Sequence, residues 1–164
     1  MDSIVTPSAP PAPEPLVTTR GLVLTVPAAA GPVNILRGID LDLAAGEAVG
    51  VVGPSGSGKT SLLMLLAGLE RATAGSVRVA GVALETLDED ARARLRRDRI
   101  GIVFQAFHLI PTMTALENVA VPLELAGRRD AFAVAEAGLR EVGLGHRLTH
   151  LPGQLSGGEQ QRVA

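Results

Sequence analysis

The sequence predicts an α/β protein in which a small antiparallel β unit precedes a core of buried strands and helices. Three observations carry this prediction. Residues 16–26 and 39–43 have the pattern of β-strands, the second through strict alternation of apolar residues with aspartates. Residues 48–52 and 100–104 are short runs that are apolar on both faces, as buried parallel strands are. Apolar stripes at helical spacing lie between and after these runs.

Composition narrows the class of protein. The chain has 164 residues, 46% of them hydrophobic, and a net charge of −2, which favours one core-forming domain and excludes a disordered polyelectrolyte. With 2% aromatic residues and no net positive charge, the sequence gives no support for a nucleic-acid partner. Cysteine is absent, which excludes disulfides and thiolate metal sites. The longest apolar runs are shorter than the roughly 18 residues that span a bilayer, and no signal peptide is recognisable, so we expect a soluble protein.

Local signals divide the rest of the chain into elements. The proline-rich residues 1–15 predict a disordered leader. We expect helices over residues 62–69 and 130–142, and a strand over 76–79 that turns at Ala80-Gly81. Three pairs fit the S/T-x-x-E capping box and predict helix starts: Thr86 with Glu89, Thr114 with Glu117, and Ser156 with Glu159.

The charged residues outside these motifs are interpreted as surface. Acidic residues interleave with the arginines of residues 92–99, which indicates a solvated helix face, Arg92 included. His108, His146 and His150 lack metal-ligand spacing and are interpreted as surface or loop residues.

The clearest chemical signal is a glycine-rich segment at residues 53–60, which fits the pattern G-x-x-x-x-G-K-[ST]. It lies between the apolar run 48–52 and an apolar-striped helix, the context that disfavours an ordinary glycine-rich turn. Glycines let consecutive backbone N–H groups surround a phosphate, and the helix N-terminus adds a favourable dipole. Lys59, the only lysine in the chain, supplies a point charge, and the Thr60 hydroxyl can ligate Mg²⁺. The sequence therefore predicts a P-loop.

A second helix start, at residues 156–159, places glycines where a phosphate can approach. Taken alone, its S-x-x-E pattern is a plain N-cap, as in many proteins. The surrounding segment LSGGEQQRVA, at residues 155–164, follows the P-loop by about a hundred residues. This combination resembles the P-loop and signature motif of the ATP-binding cassette (ABC) ATPases.

The resemblance extends over residues 16–164. The segment GIVFQ at residues 101–105, followed by LIP and ALENV, is similar to the Q-loop and the start of the helical subdomain in the lipoprotein-release and macrolide-export group (LolD, MacB and YbbA). It implies an α/β P-loop NTPase fold of the ABC type, with an antiparallel β-subdomain and with C-terminal core strands missing. It also implies a partial nucleotide-binding domain over residues 16–164, whose helical subdomain covers about residues 106–155.

The resemblance assigns roles to individual residues. Residues 53–61 would wrap the phosphates of ATP, with Thr60 on Mg²⁺ and Ser61 near the α-phosphate. Gln105 would be the catalytic residue that reaches Mg²⁺ or the attacking water. Because cassettes of this family pair head to tail, the signature residues would contact the γ-phosphate held by a second subunit. The residues that it assigns to the nucleotide are Gly53, Pro54, Ser55, Gly56, Ser57, Gly58, Lys59, Thr60, Ser61, Ser156, Gly157, Gly158 and Glu159.

Two departures from the family pattern bear on activity. Family members carry an aromatic residue upstream of the P-loop that stacks on adenine, and the matching position here is Val26, which leaves apolar contact alone for the base. No run of four apolar residues ending in Asp-Glu occurs, and no switch histidine follows. We therefore expect ATP hydrolysis from a complete family member but not from these 164 residues alone. We also expect the strands 48–52 and 100–104 to stand apart, without a ladder partner between them.

The resemblance predicts the ATP-binding subunit of an ABC transporter. Its partners would be a second, identical cassette in a head-to-tail homodimer, and a membrane permease of the FtsX or MacB type that exports or extracts a lipophilic substrate. Its place would be the cytoplasm, on the inner face of the cell membrane through that permease. Two alternatives stay open: a soluble cassette ATPase without a transport role, and a nucleotide-binding fragment without catalysis.

Overall fold

The computed structural model describes residues 14–164, which form two compact units that meet in sequence at Ile100 and Gly101. Most of the predicted leader, residues 1–13, lies outside the described residues. The segment predicted as a helical subdomain falls within the second unit, Gly101–Ala164. No helix in the described part of the chain is long and apolar enough to cross a membrane.

The first unit contains a four-stranded antiparallel sheet in the order β2-β1-β3-β4. The strands are β1 (Val17–Val26), β2 (Val33–Leu43), β3 (Ala74–Val79) and β4 (Val82–Ala83). This confirms the strands predicted over residues 16–26, 39–43 and 76–79, although β2 begins earlier than its alternating pattern.

The sheet packs on helix α1 (Lys59–Leu66), which follows the glycine-rich loop. Leu65, 1% exposed, is the most buried residue of α1, because the apolar stripe of the helix faces the sheet. The helix stops at Ala67 and Gly68, and Gly68 has the left-handed φ of 67° that ends many helices. The shared core consists of Leu22, Leu24, Leu36, Leu62, Leu65, Val77, Val79 and Leu84.

Helix α2 (Glu89–Arg99) corrects two predictions. Its N-cap is Asp88, whose Oδ1 accepts the Ala91 N–H at 2.7 Å, rather than Thr86, which lies in a short 3₁₀ turn and donates to the Ala83 carbonyl. Asp88 lies two residues closer to the helix and takes the capping role because its oxygen reaches the free amides.

Arg92 is the second correction in α2, because it is buried (4% exposed) and not part of a solvated face. Its guanidinium donates to the carbonyl oxygens of Leu84 at 2.7 Å and Glu70 at 3.3 Å. Burial, with Arg71 nearby, lowers the pKa of this guanidinium. Sequence alone does not distinguish Arg92 from the other charged residues of 92–99, because each of them is expected on the exposed face of the helix.

The two buried parallel strands predicted from sequence are wrong. Residues 48–52 and 100–104 have no strand structure, and the sheet in the described residues includes neither. Val52 is 91% exposed and Val103 70% exposed. A strand persists only when a neighbour accepts and donates its ladder hydrogen bonds, and the described residues supply no such neighbour to either segment.

The second unit is helical. It contains α3 (Ala115–Leu125), α4 (Ala131–Glu141) and α5 (Gly157–Val163). The predicted capping boxes at Thr114 with Glu117 and at Ser156 with Glu159 are both present. Helix α4 ends before Gly143, as predicted. The buried residues of this core are Ala115, Leu139, Leu144, Leu155 and Val163.

Candidate nucleotide-binding site

The P-loop lies in the first unit and leads directly into α1. Residues 53–57 and Thr60 are exposed, whereas Lys59 and Ser61 are half-buried. The first backbone bond of the helix runs from Leu62 N to Gly58 O at 2.9 Å. The amides of the three residues before Leu62 therefore belong to the group that a helix leaves without an internal acceptor. Free amides at an exposed helix start are donors for an anion.

The ammonium of Lys59 folds back onto the loop. Its Nζ donates to the carbonyl oxygens of Gly53 at 2.8 Å and Pro54 at 2.7 Å, and lies 3.4 Å from Ser57 Oγ. These contacts hold the positive charge of the side chain against the residues that the motif assigns to phosphate binding. A flexible ammonium can exchange such carbonyl contacts for phosphate oxygens.

Glycine is required at two positions of the loop. Gly56 and Gly58 have φ values of 79° and 86°, a region that side chains with a Cβ rarely adopt. A Cβ on Gly58 would also lie 2.9 Å from Leu36 Cδ2 and 3.1 Å from the Ile35 carbonyl oxygen of β2. The glycine thus lets the loop turn and lets it lie against the sheet.

The donors gathered here fit a polyphosphate. They comprise backbone amides at the helix start, the Lys59 ammonium and the hydroxyls of Thr60 and Ser61. No carboxylate of the described residues hydrogen-bonds to Lys59, so its charge is not neutralised by an ion pair there. Thr60 offers the hydroxyl oxygen that a Mg²⁺ site in a P-loop uses.

Val26, the residue predicted to contact the base, is the last residue of β1 and pairs with Val33. Its side chain is half-buried against the core of the first unit. An aliphatic side chain in this position offers a small apolar surface and no ring face.

Gln105 lies in the second unit, in an exposed turn after residues 101–104. Ala106 follows, and the two residues after it, Phe107 and His108, have left-handed φ values of 56° and 53°. Such values are unusual for residues other than glycine. The rings of Phe104 and His108 meet edge to face with centroids 4.9 Å apart. The Phe104 ring therefore packs within this turn, and Gln105 is exposed to solvent.

The signature segment also lies in the second unit, at the start of α5. Ser156 Oγ accepts the Glu159 N–H at 3.3 Å, and Glu159 Oε2 accepts the Ser156 N–H at 2.8 Å. Ser156 is exposed, and the amides of Gly157 and Gly158 are the donors that this capping box leaves without a partner in the helix.

Arg147, which precedes this segment in the chain and contacts it, is a residue that sequence analysis missed. Its Nε donates to Glu159 Oε1 at 3.0 Å, and its Nη1 lies 3.1 Å from His150 Nε2. The Ser156 N–H and hydroxyl and the Arg147 guanidinium lower the pKa of Glu159 to about 2. The two residues of the ion pair are 12 apart in the chain, so no local spacing pattern links them.

The predicted site residues thus fall into two groups. Val26 and residues 53–61 lie in the first unit, and Gln105 and residues 156–159 lie in the second. Among the described residues, no group of three or more histidine, aspartate or glutamate side chains could hold a metal ion.

Comparison with known proteins gives a family and close relatives. The sequence profile described as "ABC transporter" matches residues 36–164. The chain is 52% identical over 153 residues to the lipoprotein-releasing system ATP-binding protein LolD 2 of Caulobacter vibrioides, covering 92% of this chain and 67% of that protein. It is 53% identical over 133 residues to the ABC transporter ATP-binding protein YbbA of Escherichia coli K12, covering 80% of this chain and 58% of that protein. It is 45% identical over 152 residues to the macrolide export ATP-binding/permease protein MacB 1 of Escherichia coli O1:K1, covering 92% of this chain and 24% of that protein.

Solved structures agree with this family and with the fold. The dimeric ATP-binding cassette MJ0796, in a post-hydrolysis state with ADP and Pi, superposes with a TM-score of 0.83 at 37% identity. The match covers 90% of this chain and 66% of that one. The chain therefore spans about three fifths to two thirds of the length of the cassettes that it resembles.

Proposed function

Because the chain belongs to the ABC transporter family, we propose that it is the ATP-binding subunit of a transporter. The observation that carries the proposal is the P-loop itself. An exposed glycine-rich turn runs into the free amides of α1, and the only lysine of the chain is folded onto the loop. This arrangement provides a cradle for the phosphates of ATP.

Residues of both units have roles in the proposed binding of MgATP. The amides of residues 53–61 and the Lys59 ammonium bind phosphate oxygens, and Val26 contacts the base. By the family resemblance, Thr60 and Gln105 would each ligate Mg²⁺, which would supply positive charge to the phosphates. The Gln105 side chain is exposed and free to orient a water molecule.

The signature segment acts on a nucleotide held by a second copy of the chain. Ser156, Gly157 and Gly158 offer a hydroxyl and amides to its γ-phosphate. The carboxylate of Glu159 is engaged by Ser156 and Arg147, so we assign it to shaping the segment and not to touching the phosphate. The dimeric state of MJ0796, a cassette with 37% identity, supports pairing of two subunits.

The proposed partner in the membrane is a permease of the FtsX or MacB type. Similarity to LolD and to MacB, whose names include lipoprotein release and macrolide export, supports a lipophilic substrate that is extracted or exported. The subunit would then lie on the inner face of the cell membrane. An apolar groove of about 270 Å³ in the second unit, lined by Phe107, Leu109, Ile110, Val119 and Pro122 among others, offers a surface for a protein partner.

For the polypeptide of residues 1–164 taken alone, we propose nucleotide binding without efficient hydrolysis. A general base contributes about 10² to 10⁴ in rate, and no acidic residue directly follows the apolar runs 48–52 and 100–104. Steady phosphate release by this polypeptide that is lost in Lys59→Ala would contradict the proposal.

ATP-driven association of the full-length protein tests the function. We expect sedimentation to show monomers without nucleotide and dimers with MgATP. Lys59→Ala should stay monomeric, because its phosphate contacts are lost, whereas the exposed control Arg94→Ala should behave as the unaltered protein. Equal association of Lys59→Ala and the unaltered protein would contradict an ATP-dependent cassette.

A further inference from the structure

We propose that Arg147 is a positioning residue: held by His150, it fixes Glu159 and thereby the Ser156 end of the signature segment. The inference rests on the proposed function, in which Ser156, Gly157 and Gly158 contact a nucleotide bound by the other subunit. All the contacts that carry it lie within the second unit.

The first step is the ion pair between Arg147 and Glu159. Their side chains are 35% and 15% exposed, less than those of the other ion pairs in the described residues, apart from the arginine of the Arg96–Glu89 pair. One carboxylate oxygen accepts from Arg147 and the other accepts the Ser156 N–H. Rotation of the Glu159 carboxylate would therefore break both contacts, and Arg147 holds it in the orientation that the capping box uses.

The second step is the contact between Arg147 and His150. A guanidinium has only donors, so His150 Nε2 must accept the bond at 3.1 Å, and the imidazole proton must be on Nδ1. His150 Nδ1 is buried, and no residue among 14–164 forms a hydrogen bond with it. The ring therefore takes the orientation in which Nε2 bonds to Arg147, although this orientation leaves Nδ1 without a hydrogen-bond partner among the described residues.

The third step anchors this pair to the rest of the second unit. His150 N donates to the Arg147 carbonyl at 2.9 Å, and the His150 carbonyl accepts the Ala115 N–H at 2.8 Å, at the start of α3. Leu148 O accepts the Leu116 N–H at 3.0 Å. The backbone that carries Arg147 is therefore fixed to α3, and the guanidinium joins it to the first turn of α5.

The consequence is a preorganised donor set. The amides of Gly157 and Gly158 precede the first backbone bond of α5, from Gln160 N to Ser156 O, and stay available to an acceptor outside the segment. Loss of Arg147 frees Glu159 to rotate and lets the Ser156 end move. We expect weaker closure of the dimer around ATP by about tenfold, which corresponds to about 1.4 kcal/mol.

The first experiment compares two equilibria in the full-length protein. Arg147→Gln should bind a fluorescent ATP analogue at its own P-loop within about twofold of the unaltered protein, and should need about tenfold more protein for ATP-driven dimerisation. Arg147→Lys should restore part of the lost dimerisation, because lysine keeps a positive charge beside the Glu159 carboxylate. The control Arg140→Gln removes an exposed arginine that pairs with Glu136 and should change neither equilibrium. Dimerisation of Arg147→Gln equal to that of the unaltered protein would overturn the inference.

The second experiment separates positioning across the dimer from damage to the fold. In a mixture of Lys59→Ala and Arg147→Gln subunits, each heterodimer has one P-loop and one facing signature segment that are both unaltered. It should retain one labelled ATP. The matched control is the heterodimer of the Lys59→Ala/Arg147→Gln double variant with the unaltered subunit, isolated, like the first heterodimer, through two different tags. It has one defect in each site and should retain about tenfold less labelled ATP.

The outcomes distinguish the role of Arg147 from the proposed function of the protein. Equal retention in both mixtures would overturn Arg147 as a residue that acts on the partner's nucleotide. Failure of the unaltered protein to dimerise with MgATP would instead overturn the proposed function on which the inference rests.

Discussion

Lys59 in the P-loop and Glu159 in the signature segment have different roles in the proposed site. Lys59 keeps its ammonium on loop oxygens that a phosphate can replace. Glu159 uses both carboxylate oxygens on Ser156 and Arg147, and its pKa is lowered to about 2. The first residue is therefore poised to bind, and the second to hold its segment in shape.

The lowered pKa of Glu159 predicts an acid-dependent stability. A carboxyl whose pKa is lower in the folded state stabilises the fold above its unfolded pKa and loses that contribution as pH falls. For Glu159 the loss should occur between about pH 4.5 and about pH 2. Denaturant unfolding of the full-length protein should show a gap in stability between the unaltered chain and Glu159→Gln that narrows across this range. A gap that does not vary with pH would contradict the assigned contacts.

Val26 predicts weak selectivity for the base of the nucleotide. Val26→Tyr should tighten ATP binding by about 1 kcal/mol, because a ring provides a face on which adenine stacks. Val26→Leu is the control, since it adds apolar volume without a ring and should change affinity little. Competition between ATP and GTP for a fluorescent analogue measures both effects. An unchanged ATP affinity in Val26→Tyr would mean that adenine binds away from the end of β1.

At the scale of the elements, Arg92 joins α2 to the turn at Leu84 and to the end of the α1 connection at Glu70. Arg92→Ala leaves buried carbonyl oxygens without this donor, which should cost about 1–3 kcal/mol of unfolding free energy. Arg94→Ala, on the exposed face of the same helix, should stay within about 0.5 kcal/mol. Chemical denaturation of both variants decides the matter, and equal stabilities would show that the buried guanidinium contributes nothing.

Elements that depend on neighbours in sequence could be predicted, and those that depend on distant partners could not. The capping boxes at Thr114 and Ser156 form because each involves four consecutive residues. The runs 48–52 and 100–104 have the composition of buried strands but find no ladder partner in the described chain. At α2 the S/T-x-x-E spacing predicted Thr86 as the cap, whereas the structure has Asp88 in that position.

The same distinction holds for the candidate site. The P-loop could be predicted because its glycines, lysine and threonine are contiguous and the geometry follows from the backbone. Arg147 could not, because its partner is 12 residues away and the intervening segment folds irregularly. Motifs indicate which groups touch a ligand, whereas the groups that hold them emerge from the structure.

At the scale of the whole molecule, the described chain divides its chemistry between two units. The first unit carries the P-loop on a sheet-supported helix, and the second carries Gln105 and the signature segment. Each unit has its own hydrophobic core, so each can present its groups on a folded frame. The family match spans both units, which agrees with a nucleotide-binding domain assembled from two parts.

An equilibrium titration with MgATP tests the central claim most directly. The full-length protein should bind ATP, and Lys59→Ala should lose most of that affinity, because the only ammonium of the loop is removed while α1 keeps a good helix-forming residue at its start. Arg94→Ala should bind as the unaltered protein does. Near-normal ATP affinity in Lys59→Ala, with the fold intact by circular dichroism, would contradict the assignment of residues 53–60 as the phosphate-binding loop.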